Sequence, residues 1–165
     1  MDYMLGYGVF SVGGVDIALT RGGGQFTIER TYKEIVADGD YGPVMERIRK
    51  DGSRAKLVIR ALEIVSTNLA AMYPALSVDT TTVAGTATVT GAADIVTADY
   101  NDVVFTGVTK SGKSVVITLE DAINLENLDW ALVDKDEVVA ELTYTATYTE
   151  ATRTTEPWSI DFVDA

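Results

Sequence analysis

The chain contains no cysteine and no histidine. Without thiols there are no disulfides and no thiolate-held metal, and without imidazole there is no Ser-His-Asp or Cys-His catalysis, no His-ligated zinc and no histidine pH switch. Only carboxylate, lysine or tyrosine chemistry remains open. Nowhere do about 18 apolar residues run together, as a membrane-spanning helix would need. The N-terminus, MDYMLGYGVF, has an acid where a signal peptide carries Lys or Arg, so the expectation is a protein made and kept in a cytoplasm, with no membrane insertion. Basic charge is also scarce, 13 Lys and Arg against 25 Asp and Glu for a net charge of -12. That excess repels nucleic acid from most of the surface.

The imbalance is unevenly placed. Residues 1–75 hold nine acids and nine bases, whereas residues 76–165 hold 16 acids against four bases. At 165 residues the chain has the size of one domain, long enough to bury roughly 70% of its unfolded surface without covalent staples.

Strand signals dominate. Val12-Gly13-Gly14-Val15 predicts a two-residue hairpin turn within Tyr7–Thr20, because paired glycines accept the positive φ such turns need. After Gly22-Gly23-Gly24, Phe26, Ile28 and Tyr32 share one face, with Gln25, Thr27, Glu29, Thr31 and Lys33 on the other, the alternation of a half-buried strand. Ala55, Leu57, Ile59 and Ala61 alternate with Lys56, Val58, Arg60 and Leu62 in the same way. Strands are also expected at Val103–Thr109 and Ser114–Leu119, followed by a short helix or turn at Asp121–Asn124. The cleanest strand places Ala140, Leu142, Tyr144, Ala146 and Tyr148 on one face and Glu141, Thr143, Thr145 and Thr147 on the other. The best helix signal is Ser66 as N-cap with a run ending before Pro74. The Thr/Ala-rich stretch 77–98 has few large apolar groups, so it can pair as edge strands but adds little core. About eight to ten strands, one or two short helices and no βαβ rhythm predict a mainly β fold, a sandwich or barrel.

Between 37 and 53 the pattern turns to DGDYGPVMERIRKDGS, with turn chemistry at both ends of a charged stretch. A structureless excursion of that length is uncommon in a compact domain, so the segment reads as a projecting β-hairpin or an arm that orders on a partner. Its bases, Arg47, Arg49 and Lys50 with Arg54 beyond, are expected to dock on the acidic second half of a neighbouring copy. Asp38, Tyr41 and Ile48 belong to the same expected contact between subunits.

Gly107-Val108-Thr109-Lys110-Ser111-Gly112-Lys113-Ser114 matches the phosphate-loop pattern G-x-x-x-x-G-K-[ST]. That pattern binds phosphate when the loop leads into a helix, and here Val115-Val116-Ile117-Thr118-Leu119 predicts a strand, which makes residues 110–113 a hairpin turn. The acidic turns Asp38-Gly39-Asp40 and Asp134-Lys135-Asp136-Glu137 lack the spacing of a calcium loop. No metal, cofactor or catalytic pair is expected.

The order of features, a glycine-bounded hairpin, the DGDYGP excursion, the strand KLVIRALE, the helix STNLAAMYP, then LDWALVDKDEVVAELTYTATY and EPWSI, resembles the tail tube proteins of long-tailed bacteriophages and contractile phage-like particles. The resemblance covers nearly the whole chain, with 77–98 outside its pattern. It implies a single domain over 1–165: a β-sandwich with a flanking helix that closes into hexameric rings stacked into a hollow tube, a conduit for DNA ejection. It further implies a virion protein made in the host bacterial cytoplasm, whose partners are its own copies and other tail proteins such as the tape measure and tail-end proteins. DNA would pass through an acidic lumen without specific binding. The reaching loop would be 37–53, and barrel strands would come from Gln25–Ile35, Arg54–Glu63 and Val138–Tyr148. Two other readings share the composition: the ring-forming tube of a secretion machine, and a carbohydrate-binding sandwich or virion decoration module, which would display aromatic platforms.

Overall fold

The computed structural model of the chain describes residues 3–163. Ten strands and one α-helix follow in the order β1 (Met4–Val12), β2 (Val15–Ile17), β3 (Thr20–Glu34), β4 (Ile48–Ala61), α1 (Ser66–Met72), β5 (Leu76–Asp79), β6 (Thr88–Gly91), β7 (Asn101–Thr109), β8 (Ser114–Asn124), β9 (Ala140–Thr145) and β10 (Trp158–Val163). All pairings are antiparallel. One sheet runs β2-β1-β7-β8-β10 and the other runs β8-β9-β4-β3. The fold is mainly β and sandwich-like, and its core draws on both sheets: Phe10, Val103, Phe105, Ile117 and Leu119 from the first, Leu57, Ile59, Leu142 and Tyr144 from the second.

β8 belongs to both sheets. Its first half pairs β7 and β10, and its last two residues pair β9, Ile123 with Thr145 and Asn124 with Tyr144. The switch comes at Asp121, whose φ of 47° turns the strand where a bulge also shifts its register against β7. The helix or turn expected at Asp121–Asn124 is therefore a strand. Two acids in the middle of an apolar run read as its end, whereas they mark its bend, after which Ala122, Ile123 and Asn124 are all buried.

The glycine-paired turn at 13–14 forms with both residues at positive φ, and Val12 opposes Val15. Its strand continues into an aromatic pair, Phe10 and Phe105, with centroids 4.8 Å apart. The rings settle over glycines: a Cβ on Gly24 would lie 2.6 Å from both the Phe10 ring and the Val58 carbonyl oxygen, and one on Gly107 2.8 Å from the Phe105 ring. Gly24 is thus a packing residue rather than a hinge.

The core-face positions expected on β4 hold, and those on β9 hold up to Tyr148, which is 37% exposed because the strand ends at Thr145. Ala55, Leu57, Ile59 and Ala61 are buried, as are Ala140, Leu142, Tyr144 and Ala146. β3 differs at one residue, because Phe26 and Ile28 are half-buried but Tyr32 lies exposed beyond the body. In α1, Ser66 is the first helical residue and Val65 the N-cap. Asn68 does the capping, its Oδ1 accepting from the Val65 N–H at 3.0 Å. The other end of the helix is held by a cross-strand pair, as Asn124 Nδ2 donates to the Met72 carbonyl (2.9 Å) and Tyr144 Oη to that of Ala71 (3.2 Å). Burial pushes the Tyr144 phenol up, so it stays a donor. The Thr/Ala-rich stretch folds as a separate β5–β6 ribbon, whose turn is held by Asp79 accepting from Thr81 and Thr82. No described helix is long and apolar enough to cross a membrane.

Candidate functional site: a projecting arm and the sheet that carries it

The hairpin formed by the ends of β3 and β4 leaves the body at a bulge. Thr31 pairs Gly52 but Tyr32 pairs Lys50, so Asp51 is the extra residue that re-aims the ribbon. Beyond it the stem pairs Lys33 with Arg49 and Glu34 with Ile48, and the tip loop spans residues 35–47. The expected excursion at 37–53 is thus a projecting hairpin with shifted bounds, since 48–53 are strand. The tip is internally fastened: Asp40 accepts from the Ala37 N–H and from Arg47 Nη1, both at 2.8 Å. It also displays apolar groups. Tyr41 is fully exposed and Met45 is 84% exposed.

The structure separates the residues expected to make a contact between subunits. Asp38 and Tyr41 lie in the tip loop, and Ile48, Arg49 and Lys50 in the stem. Arg54 sits on the body, opposite Glu29 in register. Of the three arm bases, Arg47 is occupied by Asp40 and Lys50 by Glu156. Arg49 has no ion pair among the described residues.

Glu156 is a residue the sequence pattern did not point to. Its carboxylate accepts from Lys50 Nζ, from Ser53 Oγ at 2.9 Å and from Trp158 Nε1, while Tyr148 Oη donates to the Ser53 carbonyl. The segment before β10 therefore ties down the root of the arm, beside a hollow of about 410 Å³. The hydrogen bond from Lys50 leads in lowering the Glu156 carboxyl from 4.5 to about 2. Because the folded pKa is depressed, this tie is fully present above about pH 4.5 and is lost as pH falls towards 2. Glu156→Gln keeps the acceptor but loses the charge. It is expected to raise amide exchange at 32–34 and 48–50 by up to about fivefold at neutral pH, as befits a half-exposed ion pair. Hydrogen exchange read by mass spectrometry checks this, with no change expected in β7 or β8.

The outer face of the second sheet continues the stem. Register places Lys33 and Arg49, then Glu29 and Arg54, then Lys56, then Arg60 and Glu141 on that side. Lys56 pairs Glu29 and Arg60 pairs Glu141, each at 2.9 Å. Lys33, Arg49 and Arg54 have no ion pair among the described residues. The phosphate-loop match, by contrast, lies in the β7–β8 turn: the Gly112 N–H donates to the Thr109 carbonyl at 3.0 Å, and a strand follows. It forms no helix N-terminus on which a phosphate would sit. No group of three or more Asp or Glu side chains among the described residues is placed to hold a metal ion. In comparisons with known proteins, no family model and no curated protein matches this chain.

Proposed function

We propose that the chain is a structural subunit that assembles with copies of itself into stacked hexameric rings, forming a phage tail tube that conducts DNA. The observation that supports this most is the second sheet. Its outer strand, β3, is 15 residues long, and no strand pairs its free edge among the described residues. A long uncovered edge is a template for another chain unless it is blunted, and ring closure removes it. β3, β4 and β9, the stretches that the resemblance assigns to a barrel, are neighbours in this one sheet. The arm extends from the same two strands, so a contact made at the tip would be transmitted directly into the wall.

One feature departs from an acidic lumen. The outer face of β3, β4 and β9 carries five bases, Lys33, Arg49, Arg54, Lys56 and Arg60, against Glu29 and Glu141. If this face lines the channel, pairing of Lys56 and Arg60 lowers its attraction for phosphate, and the chain's surplus of acids lies elsewhere. Against a carbohydrate-binding module, both Trp130 and Trp158 pack against the core and offer no platform.

Negative-stain microscopy of purified protein tests the proposal. Rings or tubes with a central channel are the expected result. A chain that remains monomeric at every concentration, alone and with the tail-end components that would nucleate it, would overturn it.

A further inference from the structure

On a chain of net charge -12, the outer face of the second sheet is basic. Register sets its rows: Lys33 beside Arg49, then Thr31 beside Gly52, then Glu29 beside Arg54. Gly52 leaves a gap in this surface, and Glu29, Thr31, Gly52, Ser53 and Arg54 line a hollow of about 370 Å³ there. The Thr31 hydroxyl leans over the glycine, 3.0 Å from where a Cβ would stand, and adds a neutral donor. Three bases surround the hollow, Arg54 on its wall and Lys33 and Arg49 a row beyond. None has an ion pair among the described residues. Like charges facing each other across a ribbon repel, so Lys33 beside Arg49 is a pair that an added anion relieves. Glu29, the acid on the wall, is engaged by Lys56 at 2.9 Å.

The face suits a partner that carries charge without apolar surface. Contacts between proteins are built round an apolar core. Among the outward positions of Gln25–Lys33, β4 and β9, only Val58 is apolar. No aromatic ring stands there either, so the bases of a single strand find nothing to stack on. The backbone of a duplex fits what remains. The row of Lys33 and Arg49 lies four β3 residues from that of Arg54, roughly 13 Å at about 3.3 Å per residue. That is several steps of about 3.4 Å along one DNA strand, so the two rows meet different phosphates. We propose that this face binds the phosphate backbone of duplex DNA, with Lys33, Arg49 and Arg54 each answering a phosphate and the hollow over Gly52 letting the backbone approach closely. The contact reads no sequence. It is opposite in sign to the acidic, non-binding lumen that the resemblance implies. Because the site is complete in one chain, the inference goes beyond the assembly reading and stands or falls apart from it.

Fluorescence anisotropy of a labelled DNA duplex titrated with the full chain tests this. Three phosphate contacts give a slope of log affinity against log salt of about -2.7, so raising salt from about 50 to about 200 mM should cost about 40-fold. Arg54→Gln should make that slope shallower by about 1 and weaken all sequences alike. Gly52→Asp, which sets a carboxylate in the hollow, should remove binding, with circular dichroism showing that the sheets persist. Lys135→Gln deletes an equal charge in the acidic turn and should leave binding unchanged. Absence of binding at low salt would overturn the proposal, as would equal losses from Lys135→Gln and Arg54→Gln, the mark of diffuse attraction. Poly-glutamate bound as tightly as the duplex, and lost with Arg54→Gln, would assign the face to an acidic protein instead. Tubes that form but bind no duplex overturn the phosphate site and leave self-assembly standing. A persistent monomer that binds duplex does the reverse.

Discussion

Reversing Arg47, Arg49 and Lys50 to glutamate together is expected to abolish polymer while leaving a folded monomer, read by sedimentation and far-ultraviolet circular dichroism. The monomer should survive because all three lie outside the core, in the arm or beside its root. The loss should be complete because three separate effects coincide. Arg47→Glu faces Asp40 and unfastens the tip, Lys50→Glu faces Glu156 and frees the root, and Arg49→Glu removes a base that has no partner within the described chain. The single variants divide these effects. Arg49→Glu leaves both internal ties in place, so a loss of assembly from it alone points to a contact outside the chain. Unimpaired tubes from the triple variant would rule out an arm-mediated contact.

Phe105→Ala should be the most damaging single change to the fold, costing about 3–5 kcal/mol in urea denaturation, the usual range for removing a buried ring. Phe105 is buried, packs at a tilt against Phe10, and covers Gly8 and Gly107; Phe10 and Gly107 cannot move in to fill the space because each is paired on both sides. The contrast is Phe162, 66% exposed on the edge strand β10, where truncation should change stability by no more than about 0.5 kcal/mol. Equal costs at the two positions would mean that the glycine-lined packing is not what holds the sandwich together.

Period-two alternation made β4 and β9 readable because each has one face buried over its whole length within the body. The same rule placed Tyr32 in the core, since alternation gives the side of a strand but not where the opposing sheet ends. β10 was missed, although Trp158, Ile160 and Phe162 alternate with Ser159 and Asp161; it lies at a sheet edge, where Ile160 is 39% and Phe162 66% exposed. β8 was the harder case. Its alternation breaks at Glu120 and Asp121 because the strand passes from one sheet to the other, and no local rule distinguishes that break from a turn. The arm was visible as charge and turn chemistry. Its anchor at Glu156 was not, because it joins residues far apart in the chain, Lys50 with Glu156.

The shared strand has a consequence for how the molecule comes apart. Two sheets that each owned their strands could peel away from one another and leave a half-folded intermediate. Here any opening between the sheets must break β8 from β7, β9 or β10, and Asn124, one residue of the same strand, also anchors the helix. Unfolding then has no seam to follow, and heat should reveal a single transition whose calorimetric and van't Hoff enthalpies agree. A chain with that property withstands load as one piece until it fails entirely.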